Sequence, residues 1–336
     1  MDEFPCGTVR DAMPKRLGRA LRLPRKTFST RWRVYRTSVF RIIPLVALLS
    51  IAAPLPLPGQ RPSLPEPLRR TLTFGGVQRE YFLYLPEPFD NSKTYWPVVV
   101  VHGGDQDGRT PFPNASLARF VAESRLEAIV VSPSFSNDDY NASRFPSLGE
   151  GAFLDEVLTD VRRSYSLRPK MLLAGYSRGG QFSHRYAFAH PERVAAVAPL
   201  ASGTWTTPDG RFLVEGVGEI RNATAYLTDS MNASKVPERF RDLFQPRVAA
   251  VSEASAVEGA RSIPFLVMCG TLDPRLPIAQ EFARSLESLG YQVSVEWPRT
   301  PHGCDDMACW MEHRVEWEKY LLRTVAFFAR VAKGPA

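Results

Sequence analysis

Beyond residue 68 the chain alternates between two hydrophobic rhythms. Short continuous apolar runs recur at 96–101 (WPVVVV), 128–132 (AIVVS), 171–174 (MLLA), 194–200 (VAAVAPL) and 264–269 (PFLVMC). Such runs suit strands covered on both faces of a parallel sheet. Between them, 151–165 places Phe153, Val157 and Val161 four residues apart among charged positions, the period of an amphipathic helix. Residues 178–190, 278–289 and 315–331 also read as helices, and 293–297 as a strand. Two strand-like stretches, 70–74 and 77–85, flank Gly75-Gly76 and predict a hairpin. Strands alternating with helices predict an α/β fold: a mostly parallel central sheet with an antiparallel N-terminal hairpin and helices on both faces. Across 203–262 the period weakens and Gly and Pro recur. That segment is too long for a simple crossover and is expected to be a lid-like insertion at the sheet's C-terminal edge, where ligands bind in such folds.

Composition agrees with one full-sized core: of 336 residues, 44% are hydrophobic and 23% charged. The net charge of +7 suggests a nucleic-acid partner, but its distribution removes that suggestion. Residues 1–41 carry 11 Lys or Arg against 3 Asp or Glu, which leaves 31 basic and 32 acidic residues in the rest of the chain. A basic groove for phosphate backbones is therefore not expected. The basic stretch leads into an apolar run at 42–53 (IIPLVALLSIAA), short of the roughly 20 residues a membrane-spanning helix needs. Ser50 and Ala52 fit a small-x-small cleavage rule, and Pro-rich sequence follows at 54–67. The pattern predicts a basic leader and signal peptide over 1–53, a linker over 54–67 and a catalytic domain over 68–333. An extracytoplasmic location follows, the alternative being an uncleaved N-terminal anchor. The leader is long enough that Met13 is a second candidate start.

The candidate chemistry centres on Gly175-Tyr176-Ser177-Arg178-Gly179, between a predicted strand and a predicted helix. There the G-x-S-x-G pattern describes a turn so tight that the residues two before and two after the serine must be small. A serine hydroxyl is a weak nucleophile at its own pKa, so it needs a base, and the base needs an orienting acid. Of the five histidines, His184 and His190 lie in or at the end of the following helix, and His313 lies near the start of the last one. His102 precedes a glycine pair and is expected to shape that loop. His302, in Thr300-Pro301-His302-Gly303 after the last predicted strand, is the candidate base. Asp273, in a tight Gly- and Pro-containing loop after the 264–269 strand, is the candidate acid, since it completes the order Ser, Asp, His. Asp305 and Asp306 are rivals set too close to His302. The oxyanion donors are expected to be the main-chain N–H groups of Gly104 and Arg178, with the Arg178 side chain structural and paired to a carboxylate.

Four cysteines (Cys6, Cys269, Cys304 and Cys309) allow a Cys269–Cys304 or a Cys304–Cys309 bridge. Sequons occur at Asn114, Asn141, Asn222 and Asn232. Trp205 and Tyr226 are candidates to line an acyl pocket or, equally, to pack the insertion. No His/Cys/Asp cluster has metal-ligand spacing, and no cofactor is expected.

These residues resemble the α/β-hydrolases. Within them the chain is most similar to the secreted feruloyl esterase and polyhydroxybutyrate depolymerase-like group. The likeness rests on the early hairpin, Val101-His102-Gly103-Gly104, the 175–179 turn, the 195–199 strand (AAVAP), Asp273 and the Pro-His-Gly around His302.

 
The resemblance implies ester cleavage through an acyl-enzyme, no cofactor, and a small-molecule or polymeric ester as the partner. Arg178 stands where that group often has a small or amide residue. A serine peptidase similar to the prolyl oligopeptidase catalytic domain would use the same residues, and a non-catalytic binding protein on the same scaffold is a third class. Nothing like a propeller precedes residue 68, and all three triad positions are filled.

Overall fold

The computed structural model describes residues 65–136, 150–209, 211–216, 218–220, 259–303 and 307–334. The leader and apolar run, Tyr226, Asn141, Asn222, Asn232, Cys304, Asp305 and Asp306 lie outside the described residues.

An eight-stranded sheet forms the centre. Its strands are β1 (Leu68–Phe74), β2 (Val77–Tyr84), β3 (Trp96–Val101), β4 (Ala128–Pro133), β5 (Met171–Tyr176), β6 (Val194–Leu200), β10 (Phe265–Met268) and β11 (Val293–Glu296). They lie in the order β1-β2-β4-β3-β5-β6-β10-β11. The β1–β2 and β2–β4 pairs are antiparallel, and the remaining pairs are parallel. The continuous apolar runs have a direct cause here. Successive side chains point to opposite faces, and both faces are covered. Val99 and Val101 join a core with α2 (Glu150–Ser164), α3 (Arg178–Ala189) and α4 (Leu276–Ser288). Val98 and Val100 join the opposite core with α1 (Ser116–Glu123) and α5 (Met307–Ala332).

Three features depart from the sequence expectation. Helix α1 lies between β3 and β4, and it buries Leu117, Ala118, Phe120 and Val121. Helix α5 begins at Met307, eight residues before the expected start at 315. The first part of the 203–262 segment forms a second, three-stranded antiparallel sheet of β7 (Thr204–Thr206), β8 (Phe212–Val214) and β9 (Gly218–Ile220). Trp205 does not line a pocket: it is fully buried and stacked on Phe282 of α4, with ring centroids 4.5 Å apart. Asn114 is likewise fully buried, with its amide donating to Val100 O and Ser132 Oγ, so it is not a glycan acceptor in the folded chain.

His184 joins the small sheet to α3. Its Nδ1–H donates to Gly180 O at 2.8 Å, and its Nε2 accepts the Thr206 N–H at 3.0 Å. Burial, then the charge of Arg185, depresses its pKa well below the ordinary histidine value. The unfolded chain therefore takes up this proton before the folded one does as pH falls. Stability from the neutral imidazole is complete above about pH 6.5 and is lost below it, at up to about 1.4 kcal/mol per pH unit. Chemical denaturation at pH 7, 6 and 5 should show the unfolding free energy falling. His184→Gln should be less stable at pH 7 and decline less steeply. Equal slopes in the two proteins would place the acid sensitivity elsewhere.

Candidate active site

The site is assembled at the C-terminal ends of β3, β5, β10 and β11. Ser177 sits between β5 and α3 with φ 54° and ψ −110°. That backbone conformation is strained for a residue with a side chain. It persists because the surroundings fix it: the Ser177 N–H donates to Leu200 O and its carbonyl accepts from Gln181 N–H. The flanking glycines are steric necessities. A Cβ on Gly175 would stand 2.1 Å from Gly179 O, and one on Gly179 would stand 2.2 Å from Val101 O.

The three residues expected to act together do meet. Ser177 Oγ lies 3.0 Å from His302 Nε2, and His302 Nδ1 lies 2.8 Å from Asp273 Oδ2. An ionised carboxylate only accepts, so Nδ1 carries the proton and Nε2 is left to accept from the serine hydroxyl. Asp273 has no side-chain exposure, whereas His302 keeps 24%. Burial pushes the Asp273 acid up, but the His302 hydrogen bond and charge and the Arg275 N–H, 2.9 Å from Oδ1, outweigh it. The net effect holds the acid below its usual range. Arg275 also pairs with Glu215 at 3.0 Å.

Cys269 is a free, buried thiol rather than half of a bridge across the two loops. Burial and the adjacent Asp273 carboxylate, with which it hydrogen-bonds, push the thiol pKa up, so it stays neutral. Cys309 is disulfide-bonded, and its partner lies outside the described residues.

Tyr176 was not singled out in the sequence, yet it ties the site together. Its hydroxyl donates to His302 O, and its ring stacks on the imidazole with centroids 5.7 Å apart. Edge contacts to Phe112 at 5.2 Å and Trp317 at 5.7 Å hold that ring from behind. An aromatic residue before the nucleophile is visible in the sequence, but its partners come from α5 and from the loop after β3.

His102 is buried and shapes the glycine loop, as expected. Its Nδ1–H donates to Gly103 O at 2.7 Å, and its Nε2 accepts the Phe135 N–H at 2.9 Å. Gly103 N–H is engaged by Gln106 Oε1 at 2.8 Å, while Gly104 N–H has no partner among the described residues. Arg178 is the first residue of α3, where main-chain N–H groups have no intrahelical acceptor. The expected carboxylate partner for its side chain is absent among the described residues, and its Nη1 is buried without an acceptor. Instead the side chain lies on Gly104: a Cβ there would stand 2.8 Å from both Cζ and Nε of Arg178.

No protein-family model matches the chain. A probable feruloyl esterase C of Aspergillus terreus is 33% identical over 150 residues, which is 42% of this chain and 53% of that protein. The match thus spans about half the length of the curated relative. A solved ferulic acid esterase aligns with a TM-score of 0.54 at 18% identity, covering 77% of this chain and 98% of the other. FphF, a fluorophosphonate-binding serine hydrolase of Staphylococcus aureus, aligns with a TM-score of 0.53 at 16% identity over the same shares. At those identities the structural likeness is one of fold, and with this strand order it shows that the chain has the α/β-hydrolase fold.

Proposed function

We propose that the chain is a serine hydrolase of carboxylic esters that works through an acyl-enzyme. The observation that carries this reading is the unbroken hydrogen-bond chain Asp273–His302–Ser177 ending at a strained turn. Ser177 Oγ attacks the ester carbonyl carbon while His302 Nε2 takes its proton. The Gly104 and Arg178 N–H groups hold the charge that develops on the carbonyl oxygen. Collapse of the tetrahedral species expels the alcohol, which takes the proton from His302. Water then attacks the acyl-enzyme with His302 again as base, releasing the acid and restoring Ser177. Asp273 fixes the tautomer and stabilises the imidazolium. The curated relative's name directs the first assays to hydroxycinnamate esters. Export belongs to the same proposal, supported by the basic stretch and apolar run of residues 1–53. Among the described residues no helix is long and apolar enough to cross a membrane.

A fluorophosphonate probe should label the wild-type protein and leave Ser177→Ala unlabelled, with the fold unchanged by circular dichroism. Persistent labelling of that variant would move the nucleophile elsewhere. Turnover on acyl esters of rising length, a hydroxycinnamate ester and peptide amides separates ester from peptide chemistry. Faster cleavage of the amides would favour the peptidase reading.

A further inference from the structure

Arg178 presents a cation that the reaction above does not use. Its main-chain N–H serves the oxyanion, but its guanidinium lies across Gly104, the other proposed donor. Other arginines nearby have a counterion or acceptors. Arg275 pairs with Glu215, and Arg185 donates to Thr204 and Thr206 hydroxyls while covering the Phe212 ring. Arg178 forms no ion pair with Asp105 or Asp273 among the described residues, and its Nη1 is buried without an acceptor. Asp273 is committed to His302 and Arg275, and Gln106 Oε1 to Gly103. A buried N–H left without an acceptor is costly, and a guanidinium offers its donors as a planar fork that matches a carboxylate. The N-terminus of α3 adds positive potential at the same place. An ester whose carbonyl oxygen sits at the Gly104 N–H would lie beside this group, since the guanidinium packs on Gly104.

We infer that Arg178 is a specificity-determining residue that reads a carboxylate on the substrate, so the site favours esters carrying an anionic group a few bonds from the scissile carbonyl. The inference rests on the proposed ester hydrolysis. The carboxylate can belong to the acyl or to the alcohol portion, and two matched pairs distinguish them. The acyl arm compares 4-nitrophenyl hydrogen adipate with 4-nitrophenyl hexanoate. The alcohol arm compares 4-acetoxybenzoate with its methyl ester.

The readout is the ratio of kcat/KM for the anionic over the neutral member, measured on the purified full chain. In the wild type one arm should give a ratio of about ten or more, the scale of one charge-assisted pair. Raising the salt should shrink that ratio, because the charge is partly exposed. Arg178→Gln should bring it to about one. Any effect of the substitution on the main-chain donor enters both members and cancels. Should that variant fail to fold, Arg178→Lys keeps the charge without the fork and should lower the ratio severalfold. A wild-type ratio near one in both arms overturns the inference while leaving ester hydrolysis intact. So does a ratio unchanged in the variants, which would mean the guanidinium acts on the oxyanion of every substrate alike. If the wild type cleaves none of the four esters, the ester-hydrolase reading falls and this inference falls with it.

Discussion

Replacing His302 with Ala should lower kcat by roughly 10⁴- to 10⁶-fold while leaving the protein folded. In the proposed mechanism His302 Nε2, 3.0 Å from the Ser177 hydroxyl, is its base, and Ala leaves the hydroxyl at its own, unreactive pKa. Asp273→Asn should cost about 10⁴-fold by a different route. The amide can hold the ring, but it supplies no charge for the imidazolium and can favour the wrong tautomer. Asp273 also accepts from the Arg275 N–H, so its loss should reduce thermal stability more than the loss of His302, which is partly exposed. The three residues act as a unit, so the double variant should be little worse than His302→Ala alone. Steady-state rates on the best ester of the panel test all three. A His302→Ala enzyme within tenfold of wild type would remove His302 from the role of base.

Gly175→Ala should be nearly as damaging, through packing. The added methyl would stand 2.1 Å from Gly179 O, 2.3 Å from Gly179 C and 2.6 Å from Ser183 Oγ. Two of those three atoms are main chain, so the strand and helix on either side of Ser177 must part. Overpacking of this kind costs about 3 kcal/mol or more. A displacement of even an ångström at the nucleophile costs about 10²-fold in rate. Gly303→Ala is the control: its methyl would meet Tyr176 Oη at an ordinary 3.7 Å. Denaturant midpoints should place the first variant far below wild type and the second close to it. Equal midpoints for Gly175→Ala and wild type would refute the steric account.

What could be read from the sequence was local in origin. The 175–179 turn announces its small residues within five positions, although the atoms that demand Gly179 belong to Val101 and His102 of the neighbouring strand end. Asp273 and His302 could be picked out because each follows a recognisable strand and the chain order restricts the choice, and the two side chains do meet. The second sheet was not legible, because β7, β8 and β9 are three residues each, too short to show a period. Trp205 stood open between pocket and packing, since an isolated aromatic gives no direction. Its neighbours Phe282 and His184 are distant in sequence. The pairing of Arg178 was misjudged for the same reason. Whether a cation has a counterion depends on what the fold brings near it. Cys269 illustrates the point again, since a residue that looked available for a bridge is instead a neutral neighbour of the acid.

Tyr176 joins parts of the chain 126 residues apart through its hydroxyl on the His302 carbonyl. The loop carrying His302 is therefore not an exchangeable module. A graft that imports residues 300–303 from another hydrolase, without the side chain that precedes its own nucleophile, would bring in an imidazole with nothing to stack on and a carbonyl with no donor. Engineering of the 300–303 loop has to treat position 176 as part of that loop, although the two are far apart in the chain.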